Sequence, residues 1–122
     1  MITIDEMQNM LDELAEELPP IFFEELNGGI LLLPKVRTSD HAQNNDLYVL
    51  GEYRHQYSMG RYIIIYYGSF ELLFPHLPPD ALKAELRKTL RHEFTHHLES
   101  LAGENDLEKY DASLLGNYLS GN

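Results

Sequence analysis

Arg91-His92-Glu93-Phe94-Thr95-His96-His97 is the stretch on which the reading of this chain turns. It contains the pattern His-Glu-x-x-His. On an α-helix, residues four apart lie ~40° apart around the axis and one turn up, so His92 and His96 can face one ion. Glu93 lies ~100° from His92, where a carboxylate can reach a water on that ion without ligating it. The spacing therefore asks for a helix through the motif and a metal beside it.

The helix is legible on both sides of the motif. Asp80 is a good N-cap, and the periodicity predicts a helix from Ala81 to about Ala102, with Gly103 as its stop. Leu82, Leu86, Leu90, Phe94, His97, Leu98 and Leu101 fill one broad arc. His92, His96 and Glu99 fill the neighbouring arc. One side thus packs on the protein, and the seam beside it carries the ligands. His97 falls on the packing arc, as a core residue or as support behind the ligands. Phe94 and Thr95 read as structural.

Upstream, Arg61–Tyr67 is the strongest strand, β-branched and aromatic throughout. Leu47–His55 reads as its antiparallel partner, with Gly51 as a bulge and Gln56–Gly60 as the turn. Ile30–Val36 reads as a further strand, with Pro34 marking an edge or a bulge. Thr38–Asp46 between them is a polar loop, and His41 there is a surface histidine. Thr3-Ile4-Asp5-Glu6 is a capping box. It opens a helix striped by Ile4, Met7, Met10 or Leu11, Leu14 and Leu18, which Pro19 and Pro20 stop. A short second helix, Ile21–Leu26, ends at Asn27-Gly28-Gly29. The acidic run Glu13–Glu17 reads as a solvated face. Ser69 can cap a short helix over Phe70–Phe74, and Leu107–Leu119 reads as a closing helix.

These elements predict one α+β domain over residues 1–122. A small, mostly antiparallel sheet of about three strands packs on N-terminal helices and on the long motif helix.

Composition narrows the partners. The chain has 9 Lys+Arg against 20 Asp+Glu, a net charge of −11. That balance repels nucleic acid and anionic membranes, and neither is an expected partner. The longest apolar runs, Ile30–Leu33 and Tyr62–Tyr67, are too short to span a bilayer. The acidic, amphipathic first helix is unlike a signal peptide. Cysteine is absent. Its absence removes disulfides and thiolate ligands and fits a reducing, cytoplasmic setting. The oligomeric state is not legible.

A catalytic zinc takes three protein ligands and keeps one position open. Without Cys, the third ligand is an oxygen or nitrogen donor. Glu99 lies on the His face and leans toward the helix N-terminus, yet it stands ~10 Å along the axis from His92. Asp106 follows Gly103, so a chain that folds back brings its carboxylate under the metal. Asp111 is a more distant version of the same idea. Asp106 is preferred, with Glu99 as the alternative.

The chain resembles the small bacterial zincin-like metallopeptidases, whose pattern is His-Glu-x-x-His-x-x-Gly-x-x-Asp. The landmarks are Leu18-Pro19-Pro20, Leu50-Gly51-Glu52-Tyr53, Ile63–Tyr67 followed by Gly68, and Leu90-Arg91-His92-Glu93 with His96-His97. The resemblance implies a minimal zincin-like fold, one Zn²⁺ held by His92 and His96, and Glu93 as catalytic acid/base. It also implies a peptide or protein substrate. The family's Gly-x-x-Asp survives as Gly103-Glu104-Asn105-Asp106, displaced by four residues, about one helical turn. Either a longer helix returns to deliver Asp106, or Glu99 takes over.

The implied reaction is hydrolysis of a peptide bond by metal-activated water, with Glu93 taking the proton and passing it to the leaving amine. Tyr62, Tyr66, Tyr67 and Tyr110 are unranked donors for the oxyanion. An edge strand beside the helix could take up an extended substrate. The alternative is a non-catalytic zinc-binding or peptide-binding module with a structural or vestigial site. Both Glu99 and Asp106 closing a four-ligand shell would favour that alternative.

Overall fold

The capping box forms at the start of the chain. Thr3 Oγ1 accepts the Glu6 N–H at 3.1 Å, and the Glu6 carboxylate accepts the Thr3 N–H at 2.8 Å. Two orphan amides are thereby satisfied, and α1 (Ile4–Glu16) begins. The structure is a computed structural model that describes residues 1–39 and 47–104. Met7, Leu11 and Leu14 are the buried stripe of α1, so Leu11 rather than Met10 holds the middle position. The acidic run is not simply solvated. Glu13 pairs with Lys83 at 3.4 Å, and Glu17 takes both Arg87 nitrogens at 2.9 and 3.0 Å. These pairs tie the end of α1 to the long C-terminal helix.

The expected helix Ile21–Leu26 is a single 3₁₀ turn, Pro20–Phe23. Glu25 adopts a left-handed φ of 61°, which ends helical winding and turns the chain into the sheet. Phe22 is fully buried by this turn.

Three strands follow: β1 (Gly29–Leu33), β2 (Gly51–Gln56) and β3 (Gly60–Tyr66), in the order β1-β3-β2. The β2–β3 hairpin is antiparallel, as its turn dictates. β1 pairs with β3 in parallel, Gly29 opposite Tyr62 through Leu33 opposite Tyr66. The sheet is therefore mixed, not mostly antiparallel. The cause is a crossover. After Leu33 the chain passes over the end of β3 and reaches its far side, where Thr38 bridges Tyr48. The Ser69 hydroxyl fastens this crossover, donating to the Arg37 carbonyl at 3.3 Å and accepting its N–H at 3.0 Å. Ser69 is thus a buried clamp and not a helix cap. A Cβ at Gly68 would lie 2.7 Å from the Lys35 carbonyl carbon, so the crossing requires glycine there.

Two strands are shorter than their sequence predicts. β1 stops before Pro34, and residues 47–49 pair with 37–39 instead of extending β2. No bulge occurs at Gly51, because the register runs unbroken from Gly51–Ile65 to Gln56–Gly60. α2 (Tyr67–Leu73) follows β3 directly.

α3 (Pro79–Glu104) covers one sheet face. All seven residues of its predicted packing arc are buried, and Leu82, Leu86, Leu90, Phe94 and Leu98 meet Ile63, Ile65 and the α1 stripe in one core. Tyr62, Ile64 and Tyr66 form a second buried cluster on the other face of the sheet. α3 does not stop at Gly103 but continues to Glu104. His41, Asp106, Tyr110, Asp111 and the expected helix Leu107–Leu119 lie outside the described residues. Among the described residues, no helix is long and apolar enough to cross a membrane.

Candidate functional site

The sheet order leaves β2 at an edge, with α3 packed against it. Between them runs an open groove of about 690 Å³, lined by Gly51, Glu52 and Tyr53 from β2 and by His92, Glu93, His96, Glu99 and Ser100 from α3. Gly51 sets the approach of the two walls. A Cβ there would stand 2.8 Å from Thr89 Cγ2 and 3.3 Å from Glu93 Cγ. The residue read as a bulge is in fact a close-contact glycine.

His92 and His96 meet as the helical spacing requires. Their Nε2 atoms lie 3.1 Å apart and their rings stand at 88°. Two ligands bonded at 2.0–2.1 Å to a tetrahedral ion would hold their nitrogens about 3.3 Å apart. The pair therefore fits one ion with a shift of a few tenths of an ångström. Glu99 stands elsewhere. Its Oε1 is 3.6 Å from His96 Nδ1, the ring nitrogen facing away from Nε2. In that position it orients His96 from behind and does not complete a ligand set. Among the described residues, no three His, Asp or Glu side chains converge as a metal site.

Glu93 is 6% exposed and has no hydrogen-bond partner among the described residues. Burial, and secondarily the charge of Glu52, push its pKa up to about 7. Glu52 behaves oppositely. Burial raises its pKa, but the Tyr66 hydroxyl and the Arg54 and Arg37 guanidinium groups outweigh burial and hold it below the ordinary value. The same contact, together with burial, lifts Tyr66 to about 12. Two carboxyls lining one groove are thus pushed apart in acidity, one committed to partners and one without a hydrogen-bond partner among the described residues.

His97 is fully buried. Its Nε2 lies 2.9 Å from the Glu24 carbonyl oxygen, which can only accept. Nε2 therefore carries the proton, and Nδ1 accepts the Tyr53 hydroxyl at 2.9 Å. Burial lowers the pKa of this imidazole, keeping it neutral.

Of the expected oxyanion donors, Tyr62, Tyr66 and Tyr67 are not at the groove, and Tyr110 lies outside the described residues. Tyr62 and Tyr66 belong to the opposite face of the sheet, and Tyr67 donates to the Ile2 carbonyl. Tyr53 lines this part of the groove, and the sequence reading holds it as a landmark and not as a donor. Strand alternation carries the signal: Tyr53 shares a face with Gly51, two residues earlier. Glu52 is likewise named as a landmark without a role at the groove.

No family model matches the chain, and no curated protein matches it. Among solved structures it resembles a conserved hypothetical protein from Thermo thermophilus, with 31% identity and a TM-score of 0.68. The match covers 84% of this chain and 100% of that one. At that identity over the whole of its neighbour, the chain belongs to the same family as this conserved hypothetical protein.

Proposed function

We propose that the protein is a zinc-dependent peptidase that hydrolyses peptide bonds in the groove between β2 and α3. The observation that carries this reading is Glu93, a buried residue whose carboxyl has no hydrogen-bond partner among the described residues, next to a converging imidazole pair in an open groove. A carboxyl whose ionisation is opposed by burial costs stability when charged, and such groups persist where chemistry uses them. A zinc ion held by His92 and His96 would polarise the scissile carbonyl and acidify a water molecule. Glu93 is placed to take the proton at its carboxylate and to return it to the leaving amine. His97, held between Tyr53 and Glu24, would fix the helix turn that carries His96.

Asp106 remains the preferred third ligand, since Glu99 stands behind His96. The lack of cysteine suits a cytoplasmic protein with N/O metal ligands. In the rival reading, a non-catalytic zinc-binding or peptide-binding module, the same groove holds metal or peptide and cuts nothing.

The test is hydrolysis of an unstructured protein by chain loaded with zinc. Cleavage that stops on chelation and returns on adding zinc supports the peptidase. Zinc binding without cleavage of any member of a broad substrate panel supports the module.

A further inference from the structure

The groove continues past the reaction centre. A second trough of about 380 Å³ shares Gly51, His92 and Glu93 with the first and runs the other way, toward Tyr48, Glu85 and Lys88. The first arm runs toward Tyr53, Glu99 and Ser100. The α3 wall therefore extends from Glu85 to Ser100, which is ~22 Å at 1.5 Å per residue. The strand wall runs from Tyr48 to Tyr53, ~17 Å, with its Tyr48–Val49 end paired to residues 37–39 and Gly51 beyond that pairing.

The centre of this trough is also the chemical centre. His92 comes seven residues after Glu85, and Glu93 comes seven residues before Ser100. Each arm is thus ~11 Å long, the reach of about three extended residues. The backbone offers a guide along the same line. Leu50 accepts the Tyr66 N–H, so the two-residue alternation turns the main-chain groups of Gly51 away from β3. An extended chain beside Gly51 can pair with them.

We propose, resting on the peptidase reading, that the occupant is the interior of an extended peptide of about six residues, with about three on each side of Glu93. The protein then cuts internal bonds and does not trim ends. Among the described residues the trough continues ~11 Å to each side of the reaction centre, room that an end-trimming site would not need.

Binding and cleavage test this separately. Peptides of about three to nine residues, with both ends blocked, are titrated onto zinc-loaded Glu93→Gln. The same peptides are incubated with wild type, and the cut is located by mass spectrometry. Affinity is expected to rise up to about six residues and then level off, with blocked and free ends equivalent within about twofold. Wild type is expected to cut blocked peptides near the middle. Binding that requires a free terminus, or release of single terminal residues, overturns the proposal while leaving the peptidase reading standing. The expected length profile in Glu93→Gln without any cleavage by wild type upholds the two-armed groove and removes the peptidase reading.

Discussion

Tyr53 on the edge strand and His97 on α3 are joined by a 2.9 Å hydrogen bond across the base of the groove. The bond also settles the His97 tautomer, since the Glu24 carbonyl takes the other ring nitrogen. One imidazole therefore links three segments, and among the described residues Tyr53 alone donates to its Nδ1. In Tyr53→Phe that buried acceptor is left unpaired, at a cost of about 1–3 kcal/mol. Urea unfolding of the metal-free protein measures it. His97→Phe, which removes both polar partners, should lose the link to Glu24 as well and fall further.

Gly51 is predicted to be replaceable only if α3 yields. Gly51→Ala brings a Cβ to 2.8 Å from Thr89 Cγ2, and should destabilise by about 1–3 kcal/mol. Thr89→Ser removes that methyl but keeps the hydroxyl bonded to the Glu85 carbonyl. The double variant should recover at least about half of the loss, read as a coupling in a double-mutant cycle.

The buried carboxyl gives a pH signature in the metal-free protein. The folded pKa of Glu93 is raised from 4.5 to about 7. A raised carboxyl favours folding while protonated, and that contribution is lost as pH rises through the interval from 4.5 to about 7. Glu93→Gln should match wild type in stability below the lower value. Near pH ~8 it should be more stable by about 2–3 kcal/mol. Equal stability differences at both pH values would contradict the burial account.

Much of this geometry was legible in the sequence, and what was not has physical causes. The α3 arc from Leu82 to Leu101 follows from the 3.6-residue period, and the packing obeys it at every position. The convergence of His92 and His96 follows from the same period. The parallel β1–β3 pair does not follow from any local pattern. A hairpin announces itself through its turn, but the crossover rests on Gly68 and Ser69 meeting Lys35 and Arg37, about thirty residues away. Gly51 looked like a bulge because a glycine in a strand signals either a bulge or a close approach, and only the position of Thr89 decides between them. Tyr53 was hidden among eight tyrosines until the strand face was known.

The ligand assignments separate by substitution. His92→Ala and His96→Ala should each weaken zinc binding by at least about a hundredfold in equilibrium titration. Glu99→Ala, which removes only the group behind His96, should cost about tenfold. Asp106→Ala should resemble the histidine variants if Asp106 is the third ligand. A loss confined to Glu99→Ala would reverse the two assignments.

The most direct test of the central claim compares wild type with Glu93→Gln for zinc content and for cleavage of an unstructured protein, side by side. The account predicts about one zinc in each, with cleavage by wild type and a loss of at least about a hundredfold in Glu93→Gln. Undiminished cleavage by Glu93→Gln at equal zinc content would contradict it.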